Sequence, residues 1–244
     1  MRIAIMQPYL FAYPGYFELL ASVDKFILYD DVNYIKNGWI NRNRIAINDQ
    51  PVYFTVPLQK QSSFRTIAET SIHKKLYSHW KLKFLLTLKM QYSQAPYYSE
   101  VYDLVQKVID PPPVSIAALA GKSVVAVADY LGLEIPVSHS SDNRYGNHDL
   151  KAEKRVLDIC RQEGADEYVN NAGGIKLYSP AIFQEAGITL HFLHPRLLTY
   201  AQQKEPFIPN LSILDAMMHL SPEQIQDWLR KYRLQTPIEK PVLR

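Results

Sequence analysis

Residues 2–44, RIAIMQPYLFAYPGYFELLASVDKFILYDDVNYIKNGWINRNR, decide the fold of this chain. Residues 2–6 form a short apolar run that reads as a buried strand. Residues 15–23 carry helical apolar spacing, and 26–29 read as a second strand. A strand-helix-strand unit of this kind opens an α/β fold of three layers, a largely parallel sheet with helices on both faces. Ligand crevices in such sheets lie beyond the carboxyl ends of the strands. Here the loops leaving those ends are 7–16 and 30–44, and both are crowded with aromatic, amide and charged groups.

Outward from that unit the alternation continues. Residues 52–56 and the alternating stretch 67–72 read as strands, and 76–91 reads as an amphipathic helix with Leu82, Leu85, Leu86 and Met90 on one face. Ala95-Pro96 stops that helix, and the next ends at the proline run 111–113, which cannot continue a helix. A helix over 115–131 has Ser115 as its cap and Gly132 as its terminator. Residues 135–138 read as a strand and 138–147 as a polar surface loop. Helix 149–163 then leads to strand 167–169, and helix 179–185 to strand 188–193, with Gly164 and Gly187 ending the two helices. The segment 211–234 reads as helical with a new start at Ser221-Pro222. The tail beyond Gln235 is expected to lie along the surface or fray.

Composition narrows the function classes. A chain of 244 residues that is 47% hydrophobic can bury a full core. With 27 basic against 24 acidic residues the net charge is +3, which gives no electrostatic case for duplex nucleic acid. No apolar run is long enough to insert in a membrane, no secretory leader is evident, and one cysteine cannot make an internal disulfide, so a cytoplasmic location is expected. Cys160 falls among apolar helix neighbours and reads as packed rather than nucleophilic. His191 and His194 stand three apart on a predicted strand, on opposite faces, so they form no metal pair and no metal site is expected. The 17 tyrosines offer flat apolar faces with polar tips, suited to sugar rings and bases, or simply to the edge of the core.

The motifs themselves carry a family resemblance. The run QPYLFAYPGYFELL (7–20), Asp24, and FILYDDVNYIKNGWINRNRI (26–45) resemble the opening signature of the WbqC-like proteins, a bacterial family encoded largely among O-antigen and other surface-polysaccharide genes. HWKLKFLLTLKMQYSQAPYY (79–98), GADEYVNNAGG (164–174), LYSPAIFQEAGITLHFL (177–193) and YAQQKEPFIPNLSILDAMMH (200–219) follow in the same order. The resemblance implies one WbqC-like domain over 1–244, with room for a helical subdomain around 76–131. It also implies a place in surface-glycan and lipopolysaccharide biosynthesis: transfer of an acyl or amino-acyl group, such as glycine, to the amine of a nucleotide-linked amino sugar. The donor would be an activated acyl compound, with ATP and magnesium as the alternative cofactors, and a homo-oligomer is compatible with all of this.

Residue by residue, the candidate site is as follows. Asp30 and Asp31 follow a strand and are candidate bases for an attacking amine, with a solvated turn as the alternative. The Gln7 amide is a candidate orienting or oxyanion group. Pro8, Tyr9, Tyr13, Gly15 and Tyr16 belong to the same motif as candidate contacts. Tyr13-Pro14-Gly15-Tyr16 has the spacing of the His-x-Gly-His motif of nucleotidyltransferases, but tyrosine cannot supply its positive charge. A helix amino terminus at Gly15 can still receive a phosphate. Lys36, Arg42 and Arg44, with Asn37, Trp39 and Asn41 between them, make a basic and aromatic loop in which Lys36 and Arg42 are the candidate diphosphate ligands. Asn170, Asn171, Gly173 and Gly174 end a strand where backbone can approach a ligand, with Tyr178 as a ring platform. Tyr200, Gln202, Ser212 and Asp215 complete the set, Ser212 or Asn210 being equally suited to cap a helix. Two other readings stand beside the acyl transferase: a nucleotidyltransferase-like or ATP-dependent acyl-activating enzyme, and a non-catalytic nucleotide-sugar-binding protein.

Overall fold

The computed structural model describes residues 1–143, 145–196, 199–202 and 206–237. It opens with β1 (Arg2–Met6), α1 (Pro14–Ala21) and β2 (Lys25–Leu28), followed by a hairpin of β3 (Arg42–Ile47) and β4 (Gln50–Thr55). Three helices come next, α2 (Lys74–Tyr92), α3 (Tyr98–Ile109) and α4 (Ile116–Tyr130), with α3 packed against both neighbours. Then come β5 (Val137–His139), the helical turn α5 (Ser140–Asn143), α6 (Ala152–Gln162), β6 (Glu167–Asn171) and a 3-10 segment, Ala172–Leu177. The chain continues with α7 (Pro180–Glu185), β7 (Thr189–His194), α8 (Ile213–His219), α9 (Pro222–Leu229) and β8 (Arg233–Gln235).

One sheet in the order β5-β2-β1-β6-β7-β8 organises the fold, parallel throughout except for the β7–β8 edge. The central strands β1, β2 and β6 are buried on both faces, as a covered parallel sheet requires, while the edge strands β5 and β8 are only partly covered. Ile3, Ile5, Ile27 and Tyr168 meet Val156, Ile159 and Phe183 on the α6 and α7 side. Ala4, Phe26, Leu28 and Val169 meet Phe17, Leu20, Val124, Leu214 and Leu229 on the side of α1, α4, α8 and α9. The three-layer α/β architecture is therefore present, and both Gly164 and Gly187 sit in the left-handed region just past helices, at φ +68° and +74°.

Several local expectations are corrected. Residues 42–44 belong to a strand rather than a loop: β3 pairs in antiparallel register with β4 from Arg42↔Thr55 to Ile47↔Gln50. Asn48 and Asp49 both take positive φ at the turn, the geometry that two-residue hairpin loops demand. Residues 67–72 make only isolated bridges. There the Glu69 carboxylate accepts from the Thr66 N–H and hydroxyl, closing a turn that competes with strand pairing. On α2 the buried residues are Tyr77, Phe84, Leu85, Leu88 and Tyr92, whereas Leu82, Leu86 and Met90 are exposed. Stacking of Phe84 on Trp80 and Phe54 turns the aromatic stripe inward at the expense of the leucine one. The segment 138–147 is no simple surface loop, because it contains the end of β5 and α5, and Ser140 is fully buried. Helix ends at Leu229 in the carboxyl-terminal part, and 233–235 pairs with β7 instead. The tail expected to lie along the surface falls mostly outside the described residues.

Candidate functional site

Loop 7–13, leaving β1, cannot close its own hydrogen bonds, and three distant elements close them instead. Phe11 is fully buried at φ +40°. Its N–H donates to Ser123 Oγ of α4 at 3.0 Å, and its carbonyl accepts from Asn43 Nδ2 of β3 at 2.8 Å and from Ser212 Oγ at 2.6 Å. Asn43 also donates to the Leu10 carbonyl, and the Ile213 N–H to that of Ala12. Buried backbone left unpaired would be costly, so these side chains fix the path of the loop. Ser212 Oγ also accepts from the Leu214 N–H and so caps α8; it is a positioning residue, away from the cleft surface.

The loop so held forms one wall of a cleft of about 640 Å³. The cleft lies at the carboxyl ends of β1 and β6, where the strand order reverses around β1. Gln7, Tyr9, Tyr13 and Tyr29 line one side, and Asn170, Asn171, Gly173, Gly174, Leu177 and Tyr178 the other. Ile35, Trp39, Asn43, Arg44 and Asn210 complete the rim. Asn171 Nδ2 donates to the Tyr13 hydroxyl across the floor at 3.2 Å, while Asn171 Oδ1 is buried without a partner among the described residues. Asn170 is held by Tyr168, whose hydroxyl accepts from its amide at 3.1 Å.

At the mouth the hairpin presents alternating rings and guanidinium groups. Trp39 and Tyr53 stack at 6.0 Å, Arg42 lies over Tyr53 at 4.6 Å, and Arg44 faces Trp39 at 5.4 Å. Arg42 also donates to the Gly38 and Asn37 carbonyls, which ties it to the turn. Arg44 Nη2 donates to the Asn210 carbonyl, and its Nε is buried without a partner among the described residues.

Ten sequence candidates therefore converge on the cleft: Gln7, Tyr9, Tyr13, Trp39, Arg44, Asn170, Asn171, Gly173, Gly174 and Tyr178. Arg42 stands at the mouth, outside the lining, and the others lie elsewhere. Pro8 is buried beside the loop, and Gly15 backs the Tyr13 ring, with a methyl there falling 2.7 Å from Tyr13 Cε2. Tyr16 is fully buried and donates to the Gln7 carbonyl, so its hydroxyl cannot reach a phosphate. Lys36 and Asn37 are on an exposed turn, and buried Asn41 bridges Tyr34 and the Val56 carbonyl. Asp215 is fully buried and accepts from Tyr92 at 2.7 Å, Tyr200 at 2.6 Å and Gln202 at 3.0 Å, a closed cluster joining α8 to α2.

Asp30 and Asp31 face away from the cleft. Asp30 accepts from Ser140 Oγ, from both the N–H and the hydroxyl of Ser141, and contacts His139 Nδ1 at 2.7 Å. Burial works to raise its pKa, but these bonds outweigh it and hold the carboxyl below its ordinary range. His139 is correspondingly raised, chiefly by the bond to Asp30. Asp31 pairs with buried Arg155, which also binds Asn147 and lies over the Tyr29 ring at 5.1 Å. Both carboxylates thus lock β5, α5 and α6 to the end of β2, and Tyr29 transmits that rigidity to the cleft wall. His139, Ser140 and Arg155 were not among the sequence candidates. For His139 and Ser140 the signal was the polar run at the end of a strand, the same signal that marked Asp30; Arg155, inside α6, had none.

The buried thiol of Cys160 has its pKa pushed up to about 12 by desolvation, matching its reading as a packed residue. Among the described residues no group of three or more histidine, cysteine, aspartate or glutamate side chains is placed to hold a metal.

The profile of the WbqC-like protein family matches residues 7–227. The chain belongs to this family. A relative, the uncharacterized protein Rv1507c of Mycobacterium tuberculosis, is 32% identical over 237 residues, covering 95% of this chain and 99% of its own. No solved structure matches significantly. The matched region of this WbqC-like chain contains every cleft-lining residue except Ile5 and Met6. None of the helices described is long and apolar enough to cross a membrane.

Proposed function

We propose that this protein is a cytoplasmic transferase of surface-glycan biosynthesis that acylates the amine of a nucleotide-linked amino sugar. The observation that carries the reading is the cleft at the strand-order reversal, which joins amide groups in its floor to a ring-and-guanidinium ladder at its mouth. Stacked Trp39 and Tyr53 suit a base, and Arg44 suits the diphosphate. The amides of Gln7, Asn170 and Asn171 suit sugar hydroxyls, which need both donors and acceptors. Gly173 has open space around it, so backbone can approach a ligand there.

The chemistry asks little of the protein. A neutral amine nitrogen attacks the acyl carbonyl, a carbon–nitrogen bond forms, and the leaving group departs with its bonding pair while the amine proton passes to it or to water. Orientation supplies the rate advantage, with the Gln7 amide as the proposed oxyanion donor and Asp30 and Asp31 as positioning residues. The acyl donor is an activated compound, or is formed with ATP and magnesium.

A second reading, a nucleotide-sugar-binding protein without turnover, is favoured by one observation: the described residues that line the cleft include no carboxylate, imidazole or thiol. Purified protein incubated with nucleotide-linked amino sugars, pooled acyl donors, ATP and magnesium, followed by mass spectrometry, separates the two. An acyl mass on the sugar is the expected result. Ligand-induced stabilisation without any mass gain would transfer the case to the binding protein, and neither effect would remove both.

A further inference from the structure

Helix α2 carries apolar residues on two faces, and the fold covers one of them. Tyr77, Phe84, Leu85, Leu88 and Tyr92 are buried against the body of the protein. On the opposite face Leu82, Leu86 and Met90 recur every four residues and so form one stripe, and they are 66%, 57% and 70% exposed. Leu76, near the amino-terminal end of the helix, is 54% exposed. Single exposed leucines are ordinary on a folded surface, but four large apolar side chains on the outward side of one helix make a patch that calls for a partner.

The charge of the helix is one-sided as well. Its 19 residues include five lysines and no carboxylate. Lys81, nearer the buried face, pairs with Asp110 at 3.1 Å. Lys74, Lys75, Lys83 and Lys89 are exposed and make no ion pair among the described residues. Lys75, Lys83 and Lys89 stand three or seven positions from Leu82 or Leu86, on the same face as the stripe. A lysine lays its methylene stem along apolar groups and carries its ammonium beyond them. The face thus offers leucines to hydrocarbon and cations to a layer of anions just outside it, and an anionic phospholipid surface has those two layers in that order. A second copy of this chain fits less well, because two-fold pairing sets the same lysines against each other.

We propose that the outward face of α2 is a peripheral docking surface for an anionic phospholipid membrane, with Leu82, Leu86 and Met90 seated just beneath the headgroups and Lys75, Lys83 and Lys89 on the lipid phosphates. The helix lies along the interface and does not cross it. Phe84, on its other face, stacks on Phe54 of the hairpin. Tyr53, the neighbour of Phe54 on β4, points to the opposite side of the hairpin and joins Trp39 and Arg42 at the cleft mouth. The hairpin therefore stands between α2 and the mouth, and docking through α2 leaves the cleft open to water. The proposal does not rest on the acyl-transfer reading.

The test is flotation of the full chain with two kinds of vesicle, phosphatidylcholine alone and phosphatidylcholine with phosphatidylglycerol in equal parts, at low and high salt. Binding is expected on the anionic vesicles, weakened by salt, and not on the neutral ones. Lys83→Glu combined with Lys89→Glu is expected to weaken it by about tenfold or more, and Leu82→Ser combined with Leu86→Ser by about tenfold. All four positions are exposed, so both double variants are expected to keep the wild-type Tm. If either fails to fold, the lipid selectivity and salt dependence of the wild type decide. No binding to anionic vesicles, or equal binding to neutral ones, would overturn the proposal. So would full binding by the leucine variant, which would reduce the contact to charge alone. A dimer in sedimentation that the leucine pair dissolves, without vesicle binding, would assign the face to a second copy instead.

Discussion

Gly173 and Gly174 are adjacent and identical in sequence, yet their surroundings differ. A methyl added at Gly173 meets nothing within 4 Å, whereas one at Gly174 falls 3.1 Å from both Cγ and Nδ2 of Asn170. That amide is the group Tyr168 and the Asn171 N–H hold in place at 3.1 and 2.7 Å. Gly174→Ala is therefore expected to displace Asn170 and cost about 1–2 kcal/mol in urea unfolding, while Gly173→Ala stays within about 0.5 kcal/mol of wild type. Equal effects would mean that the Asn170 amide is not fixed as described. The pair was legible as a place for backbone to meet a ligand only in the sense of composition; which glycine is obligatory depends on Asn170, four residues before Gly174, turning back toward it.

At the scale of elements, the loop after β1 is shaped by side chains from β3, α4 and the start of α8, and the strand–helix–strand pattern that revealed the sheet is silent about all three. Ser212 shows the mixture. Its place before an apolar helix marked it as a cap, which it is, but not as a donor to the Phe11 carbonyl more than two hundred residues away in sequence. Ser212→Ala should cost about 2 kcal/mol, more than a cap alone, because a buried carbonyl loses one of its two donors as well. Thermal unfolding with circular dichroism would detect this, and a loss of only a few tenths would leave the clamp without support. The misreading of α2 has a similar origin. Leu82, Leu86 and Met90 satisfy helical spacing as well as Tyr77, Phe84 and Leu88 do, and the stack of Phe54, Phe84 and Trp80 selects between them.

For the molecule as a whole, three groups set the direction of the stability–pH curve. Asp30 has a folded pKa below its ordinary 3.8, so its contribution is present above that value and is lost as pH falls through the folded one. His139, raised above 6.5, contributes fully below that value and loses its contribution as pH rises through the folded one. Glu18 is raised from 4.5 to about 7, so the unfolded chain releases this proton first and stability falls as pH rises across that interval. Maximum stability from these three groups is expected at about pH 4, and Glu18→Gln should reduce the decline toward neutrality by about 2 kcal/mol after allowance for solvent screening. Chemical denaturation across pH would measure it; a variant with the same slope as wild type would place Glu18 ionised in the fold.

Period-two and helical spacing, glycine stops and serine caps determined the layers, the parallel sheet and the crevice end of the strands, because each is a local consequence of burying one face of one element. The amide–glycine end of β6 and the motif after β1 were visible as polar and aromatic groups gathered at strand ends, where such sheets form their crevice. Tertiary structure alone decided which members of those motifs share the cleft. It turned Asp30 and Asp31 toward β5 and α6, buried Tyr16, sent Asp215 into a closed cluster and brought β3 to the mouth. Those outcomes depend on hydrogen-bond partners up to two hundred residues apart, and no local pattern encodes which donor will reach which acceptor.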